Sequence, residues 1–337
     1  MNITILGTGA WATALGCCLS LNKHNVIMWG IDKNEINDIN AGYNKKYYGD
    51  QKLFANLKAI DDLAKSVEKA EYILLAVPSA FILDVIDKVK VHINKSKPIT
   101  FINVAKGLDS NSNDVWSKSI KKSLKSYNVK IASLIGPSFA IDVYNKKPTI
   151  VNVAAKKMET SRIVSSLFNS YFFKCVPIND ENGAQVLAAL KNLLAIAIGI
   201  AEENHNSINT ITALLTAGIN EMQKIANIMG AKYKTILQYC GIGDIFLTCT
   251  CDKSRNFSFG KQIFRDGIYK TLEKNKSTVE GYKVYPIVKQ IIIKHKLESP
   301  IFSLICKVLD GNLDPSKFVD SCLELIMIQV EKETTQK

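Results

Sequence analysis

Short apolar runs punctuate the first half of the chain: NITIL, VIMW, YILLAV, ITFINV and KIASLI, several of them rich in β-branched residues. Helical patterns separate most of them, over 10–22, 32–41, 79–93 and 113–125. Such alternation predicts parallel strands joined by crossover helices, an open α/β sheet. Two further strands, TIVNVA near 149–154 and FFKCVP near 172–177, flank a helix expected at 157–168. Beyond about Asp180 the texture changes, and helical patterns follow over 181–203, 207–229, 257–274, 281–295, 301–309 and 315–332. The pattern therefore predicts an α/β domain over 1–180 and an all-helical domain over 181–337. PINDENG (177–183) reads as the junction, with Asp180 or Asn179 as candidate N-cap, and the charged tail EKETTQK is expected to fray.

One helical stretch breaks its own pattern. QVLAALKNLLAIAIGIAEEN (185–204) sets Lys191 among Leu187, Ala188, Leu194 and Ala195 at three- and four-residue spacing. On the order of 15 Å of helix separates it from either end, too far for its stem to carry the ammonium to water. A membrane span is excluded by length, because the unbroken apolar part, Leu193 to Ala201, is far below the ~20 residues required. Two readings remain at this point: a structural ion-pair partner, or a reactive amine whose surroundings tune its proton affinity.

At 337 residues the chain is long enough for two domains, and 47% hydrophobic residues supply their cores. No basic leader precedes the first strand, so no signal peptide is expected. Eight Cys occur without a C-x-x-C pair and the four His do not cluster. That spacing fits neither a metal site nor a disulfide framework and points to a reducing cytoplasm. The formal charge of +12 comes from dispersed Lys, without aromatic interleaving or a helix-turn-helix pattern, which excludes a nucleic-acid partner and leaves an anionic small substrate compatible.

The chemistry begins at residue 7. GTGAWA, Gly7 to Ala12, lies between the first strand and an apolar helix and matches G-x-G-x-x-G/A. There Gly7 permits the tight turn, Gly9 admits a pyrophosphate to the backbone, Ala12 is the allowed third position, and the helix N-terminus faces the anion. About twenty residues on, an acid favours NAD and a base NADP; WGIDKN offers both Asp32 and Lys33, and Asp32 also reads as a helix cap, so the preference stays open. Other strand ends carry VPS (77–79), AKG (105–107) with Lys106, and GPS (136–138) with Ser138 as possible cap of the next helix. In the helical half, GIGDIFLTCT places Asp244 between glycines and a hydrophobic turn, where it reads as a helix cap, and SRN (254–256) offers a compact donor set suited to phosphate.

Taken in order, GTGAWATAL, AVPS, AKGL, GPSFA, LKNLLAIAIG, GIGDIFLTCT, SRNFSFG, VEGY and SPIF resemble the NAD(P)-dependent sn-glycerol-3-phosphate dehydrogenases of the bacterial type, over nearly the whole chain. The resemblance implies a Rossmann-type domain followed by a helical one, a homodimer, and interconversion of dihydroxyacetone phosphate and glycerol 3-phosphate for phospholipid synthesis. It implies that Lys191 is the catalytic acid/base, with Asp244 beside it. Ala10, Trp11, Lys106, Ala140, Arg255, Thr278 and Glu280 fall on cofactor positions of the family. Lys106, Gly136, Ser138, Lys191, Asp244, Ser254, Arg255 and Asn256 fall on substrate positions.

The chain also departs from that pattern. Ala217 stands where the family has Arg, EENHNSIN (202–209) lacks glycine, and Asp142 stands for Glu. These bear on loop closure, packing and dimer contacts more than on the reaction. Two alternatives stay in view: a two-domain reductase of the 2-hydroxyacid or ketopantoate type, and a non-catalytic dinucleotide sensor.

Overall fold

The computed structural model describes residues 1–275 and 278–335. It divides into two compact units, Met1–Gln185 and Val186–Lys337.

In the first unit the elements in chain order are β1 (Asn2–Leu6), α1 (Ala10–Leu21), β2 (Asn25–Trp29), α2 (Lys33–Asn40), α3 (Lys45–Tyr48), β3 (Lys58–Ile60), α4 (Leu63–Val67), β4 (Tyr72–Leu75) and α5 (Ile82–Val89). They continue with β5 (Ile99–Asn103), a two-stranded hairpin of β6 (Leu108–Asp109) and β7 (Asp114–Val115), α6 (Trp116–Ser123), β8 (Val129–Ile135), α7 (Ala140–Tyr144), β9 (Thr149–Ala155), α8 (Met158–Phe168) and β10 (Phe173–Ile178). Among the described residues the main sheet has eight strands in the order β10-β9-β8-β5-β4-β1-β2-β3. The chain leaves β1 in one direction for β2 and β3 and in the other for β4, β5 and β8, all parallel. This is the doubly wound Rossmann-type architecture.

Strand alternation builds its two cores. Leu74 of β4 and Ile102 of β5 enter one apolar cluster with α1 residues such as Leu15 and Leu19. Their neighbours Ile73, Leu75 and Phe101 enter a second cluster with Val85, Ile86 and Ile120 from α5 and α6. Both faces are covered, which is why these strands read as continuous apolar runs.

The expected strands and crossover helices are present, with three corrections. The sheet is mixed, because β9 pairs antiparallel with β8 while β10 runs parallel to β9. The link from β8 to β9 holds only the five-residue α7, and reversal into an antiparallel neighbour needs no long crossover. The short β3, α3 and α4 escaped the sequence reading because three to five residues are too few to show a period. The helix expected at 113–125 spans 116–123, its first residues being taken by β7.

The remaining elements are helical: α9 (Glu181–His205), α10 (Ile208–Ile228), α11 (Asp244–Cys249), α12 (Arg255–Asp266), α13 (Ile268–Lys274), α14 (Glu280–His295), α15 (Pro300–Leu309) and α16 (Phe318–Thr335). The single helix expected over 257–274 is broken at Gly267, whose φ of +77° ends α12 and starts α13. The tail does not fray where described, since α16 continues to Thr335; Gln336 and Lys337 lie outside the described residues. Helix α9 is long and apolar enough by composition to cross a membrane, yet its most apolar window is wholly buried in the protein. Asp180 caps it, its Oδ1 accepting from Gly183 N at 3.0 Å.

Glu181, the first residue of α9, turns its carboxyl inward, where Oε1 accepts from Ser133 Oγ at 3.1 Å. Desolvation pushes this group from its ordinary 4.5 up to about 8, against the smaller lowering effects of Ser133 and Lys121. The folded chain thus holds a proton that the unfolded chain releases near pH 4.5, so stability is full below that pH and declines as pH rises through about 8. Glu181→Gln should remove this decline, leaving the variant more stable than wild type at pH 8.5 by on the order of a few kcal/mol and little changed at pH 5. Denaturant titrations at both pH values test this, and parallel behaviour of the two proteins would refute it.

Candidate active site

The first unit carries a cradle at the point where strand order reverses. Gly7 follows β1 with φ +129°, and a Cβ there would lie 2.7 Å from the Ala76 carbonyl oxygen beyond β4. Only glycine meets both demands. Gly9 is open by contrast, with the Tyr47 hydroxyl 3.9 Å from its would-be Cβ as the nearest atom. Helix α1 starts at Ala10 with no side-chain cap and no acid in its first turn. Its positive end is therefore offered to an anion, and the cradle fits the pyrophosphate of a dinucleotide.

Further sequence-predicted residues share this edge because β1, β4, β5 and β8 run parallel. Lys106 follows β5 and is half-buried, and Gly136 and Ser138 follow β8. Ser138 is not the expected cap. Its hydroxyl donates back to the Gly136 carbonyl at 3.1 Å, and α7 starts at Ala140 behind an N-cap at Phe139. Ser138 lies one residue too early to reach the first amides of α7.

Sequence reasoning passed over the supports of the cradle. Thr8 Oγ1 donates to Glu35, whose other carboxylate oxygen accepts from Lys46 Nζ at 2.5 Å and from Tyr47 OH at 3.3 Å. Asn44 Nδ2 donates to Thr8 O at 2.9 Å and to Thr13 Oγ1 at 2.8 Å. Glu35 is a buried acid in the first turn of α2. The signal that could have marked it was its place just beyond the β2 turn.

In the second unit the structure brings Lys191 and Asp244 together. Lys191 is 2% exposed and Asp244 0%. Nζ lies 3.3 Å from Asp244 Oδ1 and donates to Thr248 Oγ1 at 2.6 Å. The Thr248 hydroxyl in turn donates to the Asp244 carbonyl at 2.6 Å. Asp244 is the first residue of α11, behind the irregular turn Tyr239–Gly243, and Thr248 lies one helical turn on, so a single short helix presents both partners. Burial pushes the adjacent Cys249 thiol up to about 12, so it stays a neutral packing group.

Helix α12 approaches α9 at two glycines. A Cβ on Gly199 would meet the Phe257 carbonyl, and one on Gly260 the Ile196 carbonyl. This closeness lets Asn256 Nδ2 donate to Asn192 Oδ1 at 3.0 Å while Asn256 Oδ1 accepts from Gly281 N at 2.9 Å. Asn256 thereby ties α14 to α12 and to the residue beside Lys191. Ser254 caps α12, accepting from Phe257 N at 3.4 Å, and Arg255 is exposed at its first position. Thr278 is exposed, and Glu280 opens α14 half-buried, 3.9 Å from Lys283. Thr248 and Asn192 are polar residues the sequence reading did not single out.

Residues 2–161 match the model for the NAD-dependent glycerol-3-phosphate dehydrogenase N-terminus, and residues 180–320 match that for its C-terminus. The chain belongs to the NAD-dependent glycerol-3-phosphate dehydrogenase family. It is 50% identical over 329 residues to the glycerol-3-phosphate dehydrogenase [NAD(P)+] of Malacoplasma penetrans, covering 97% of each chain. A protein of that name from Mesoplasma florum is 35% identical, over 95% of this chain and 96% of the relative. Among solved structures, the glycerol-3-phosphate dehydrogenase from Coxiella burnetii superposes with a TM-score of 0.85 at 30% identity, covering 96% of this chain and 98% of that one. The cradle lies within the N-terminal match of the family, and the Lys191 cluster within the C-terminal one.

The close approach at Gly260 is testable. Gly260→Ala should cost roughly 1–3 kcal/mol of stability through overpacking against α9. A thermal unfolding midpoint equal to wild type would show that the two helices part without penalty.

Proposed function

We propose that the chain is an NAD(P)-dependent sn-glycerol-3-phosphate dehydrogenase, with 1–180 as dinucleotide-binding domain and 181–337 as catalytic domain. The observation that carries this reading is the buried Lys191 amine, held between the Asp244 carboxylate and the Thr248 hydroxyl in a chain of this family. An ion pair serving structure alone would gain little over a pair of apolar residues, because both charges have lost their water.

The nicotinamide cofactor, when bound, supplies or takes up the hydride at C2 of the substrate. Gly7, Gly9, Ala10, Trp11 and Ala12 would hold its pyrophosphate on the backbone of the β1–α1 turn, and the family assigns Lys106, Ala140, Arg255, Thr278 and Glu280 to it as well. As a ketone is reduced, negative charge grows on its oxygen. Lys191 Nζ hydrogen-bonds that oxygen and delivers the proton, and in the reverse direction it removes it. Asp244 favours the charged amine, and Thr248 orients it by accepting from Nζ while donating to the Asp244 carbonyl. Arg255, exposed behind the Ser254 cap, is assigned the substrate phosphate. Asn256, already tied to Asn192 and Gly281, contributes its second amide hydrogen. Lys106, Gly136 and Ser138 are assigned to the substrate by the same resemblance.

The reading extends to a homodimer in the cytoplasm that supplies glycerol 3-phosphate for phospholipid synthesis. Kinship supports it, as do eight cysteines that are all free thiols, in keeping with a reducing compartment.

Lys191→Ala should lower turnover by roughly 10²–10⁴-fold while the protein still binds nicotinamide dinucleotide. The assay follows oxidation of NADH and NADPH with dihydroxyacetone phosphate and with unphosphorylated ketones. Near-wild-type turnover in the variant would refute the proton-transfer role. Preference of the wild type for an unphosphorylated ketone would point to another reductase, and cofactor binding without any turnover to a sensor. Arg255→Ala should chiefly raise the KM for the triose phosphate, by roughly tenfold or more, as expected for a lost charge-assisted contact. An unchanged KM would exclude that contact.

A further inference from the structure

Strand β5 ends in a side chain that belongs to neither apolar core. Asn103 is 0% exposed, and a buried carboxamide costs free energy unless its oxygen and its nitrogen are both bonded. Here one residue takes both. Asn103 Oδ1 accepts from Ala105 N at 3.1 Å, and its Nδ2 donates to Ala105 O at 3.1 Å. The first bond alone would make an Asx turn. The second holds the peptide group that joins Ala105 to Lys106, so one side chain fixes two consecutive peptide planes.

The far side of Lys106 is fixed as well. Gly107, with φ +105°, turns the chain into β6. Asp109, 3% exposed, then accepts from Asn111 N at 3.1 Å, Ser112 Oγ at 2.8 Å and Ser119 Oγ at 2.5 Å, which ties the β6–β7 hairpin to α6. Lys106 thus stands half-buried between two anchored points at the carboxyl edge of the sheet. A cation on a loose loop would give up conformational freedom each time it met an anion, whereas one on a fixed backbone has little left to lose.

We propose that Asn103 is a positioning residue: by its paired bonds to Ala105 it sets where the Lys106 ammonium meets the substrate. The inference rests on the dehydrogenase reading and on the substrate position assigned to Lys106. Asn103, wholly buried, acts only through its neighbour.

The test is a double-mutant cycle in steady-state kinetics with dihydroxyacetone phosphate, at saturating NADH and NADPH in turn. It compares full-length wild type, Lys106→Met, Asn103→Ala, Asn103→Ser and the two double variants, with the folded fraction of each followed by thermal unfolding. Lys106→Met should raise the KM for the triose phosphate by roughly tenfold or more, the size of a lost hydrogen bond to a charged group. Asn103→Ala should raise it by roughly three- to tenfold, with kcat per folded molecule little changed. Asn103→Ser, whose hydroxyl makes the turn bond more weakly, should raise it less. Added to Lys106→Met, either substitution should move KM by less than about twofold, because the group it positions is gone. A side chain serving stability alone behaves differently: its loss lowers the folded fraction, and so the apparent kcat, and leaves KM as in wild type. An unchanged KM in the Asn103 variants, or a rise that persists in full beside Lys106→Met, would overturn the inference and leave the dehydrogenase reading standing. An unchanged KM in Lys106→Met would overturn it by removing the contact to be positioned. Should Asn103→Ala fail to fold, Asn103→Ser carries the same comparison. Absence of triose phosphate turnover by wild type would overturn the inference and the dehydrogenase reading together.

Discussion

Moving an ammonium into the interior of a protein carries a desolvation cost of several kcal/mol, and the second unit is organised around meeting it at Lys191. Asp244 supplies the counter-charge and Thr248 a hydrogen bond of fixed direction, both from α11. The side chain is buried along α9, only 2% exposed. Its nitrogen is thus held in one place by two directed contacts. The glycine contacts between α9 and α12 serve the same end, since they bring Asn256 against Asn192 and leave little play in the residue beside the lysine.

The first unit meets the opposite requirement. The turn between β1 and α1 is a set of backbone dipoles with no counter-charge of their own. Helix α1 begins uncapped, Gly7 removes the Cβ that would foul the end of β4, and Gly9 leaves the approach open. Side chains appear in support roles: Asn44 and Glu35 pin Thr8 from the side, so the loop has one conformation to present. Neutral dipoles at one site and a compensated charge at another suit a reaction that brings in an anionic cofactor and develops a further negative charge on the substrate.

Much of this was legible in the residues. The β-branched runs marked the strands of the main sheet, because a strand covered on both faces must be apolar throughout. The fingerprint was legible because its constraint is local: a positive φ and a missing Cβ are properties of Gly7 alone. Lys191 announced itself by contrast with its helical neighbours. The break at Gly267 was also written in the chain, as a glycine after an amphipathic helix, and was overlooked because the period resumes immediately in α13.

Other features depend on distance in space and leave no mark on spacing. Asp244 lies 53 residues from Lys191 by number; spacing alone reads it as a helix cap, the family resemblance implied that it stands beside the lysine, and the fold shows the ion pair. Thr248 reads as one more polar residue in a short helix until its hydroxyl is seen between the two. Ser138 carried the right chemistry for a cap but sits one residue out of register with α7. The antiparallel turn into β9 was likewise invisible, since strand direction follows from how a short link can close. Local stereochemistry and burial periodicity are written along the chain, and so the sequence alone determined the longer strands and helices of the α/β unit, the glycine turn after β1 and the presence of an anomalous buried lysine. Partnership between charges falls off with separation in three dimensions, so only the tertiary structure decided which groups that cation would face.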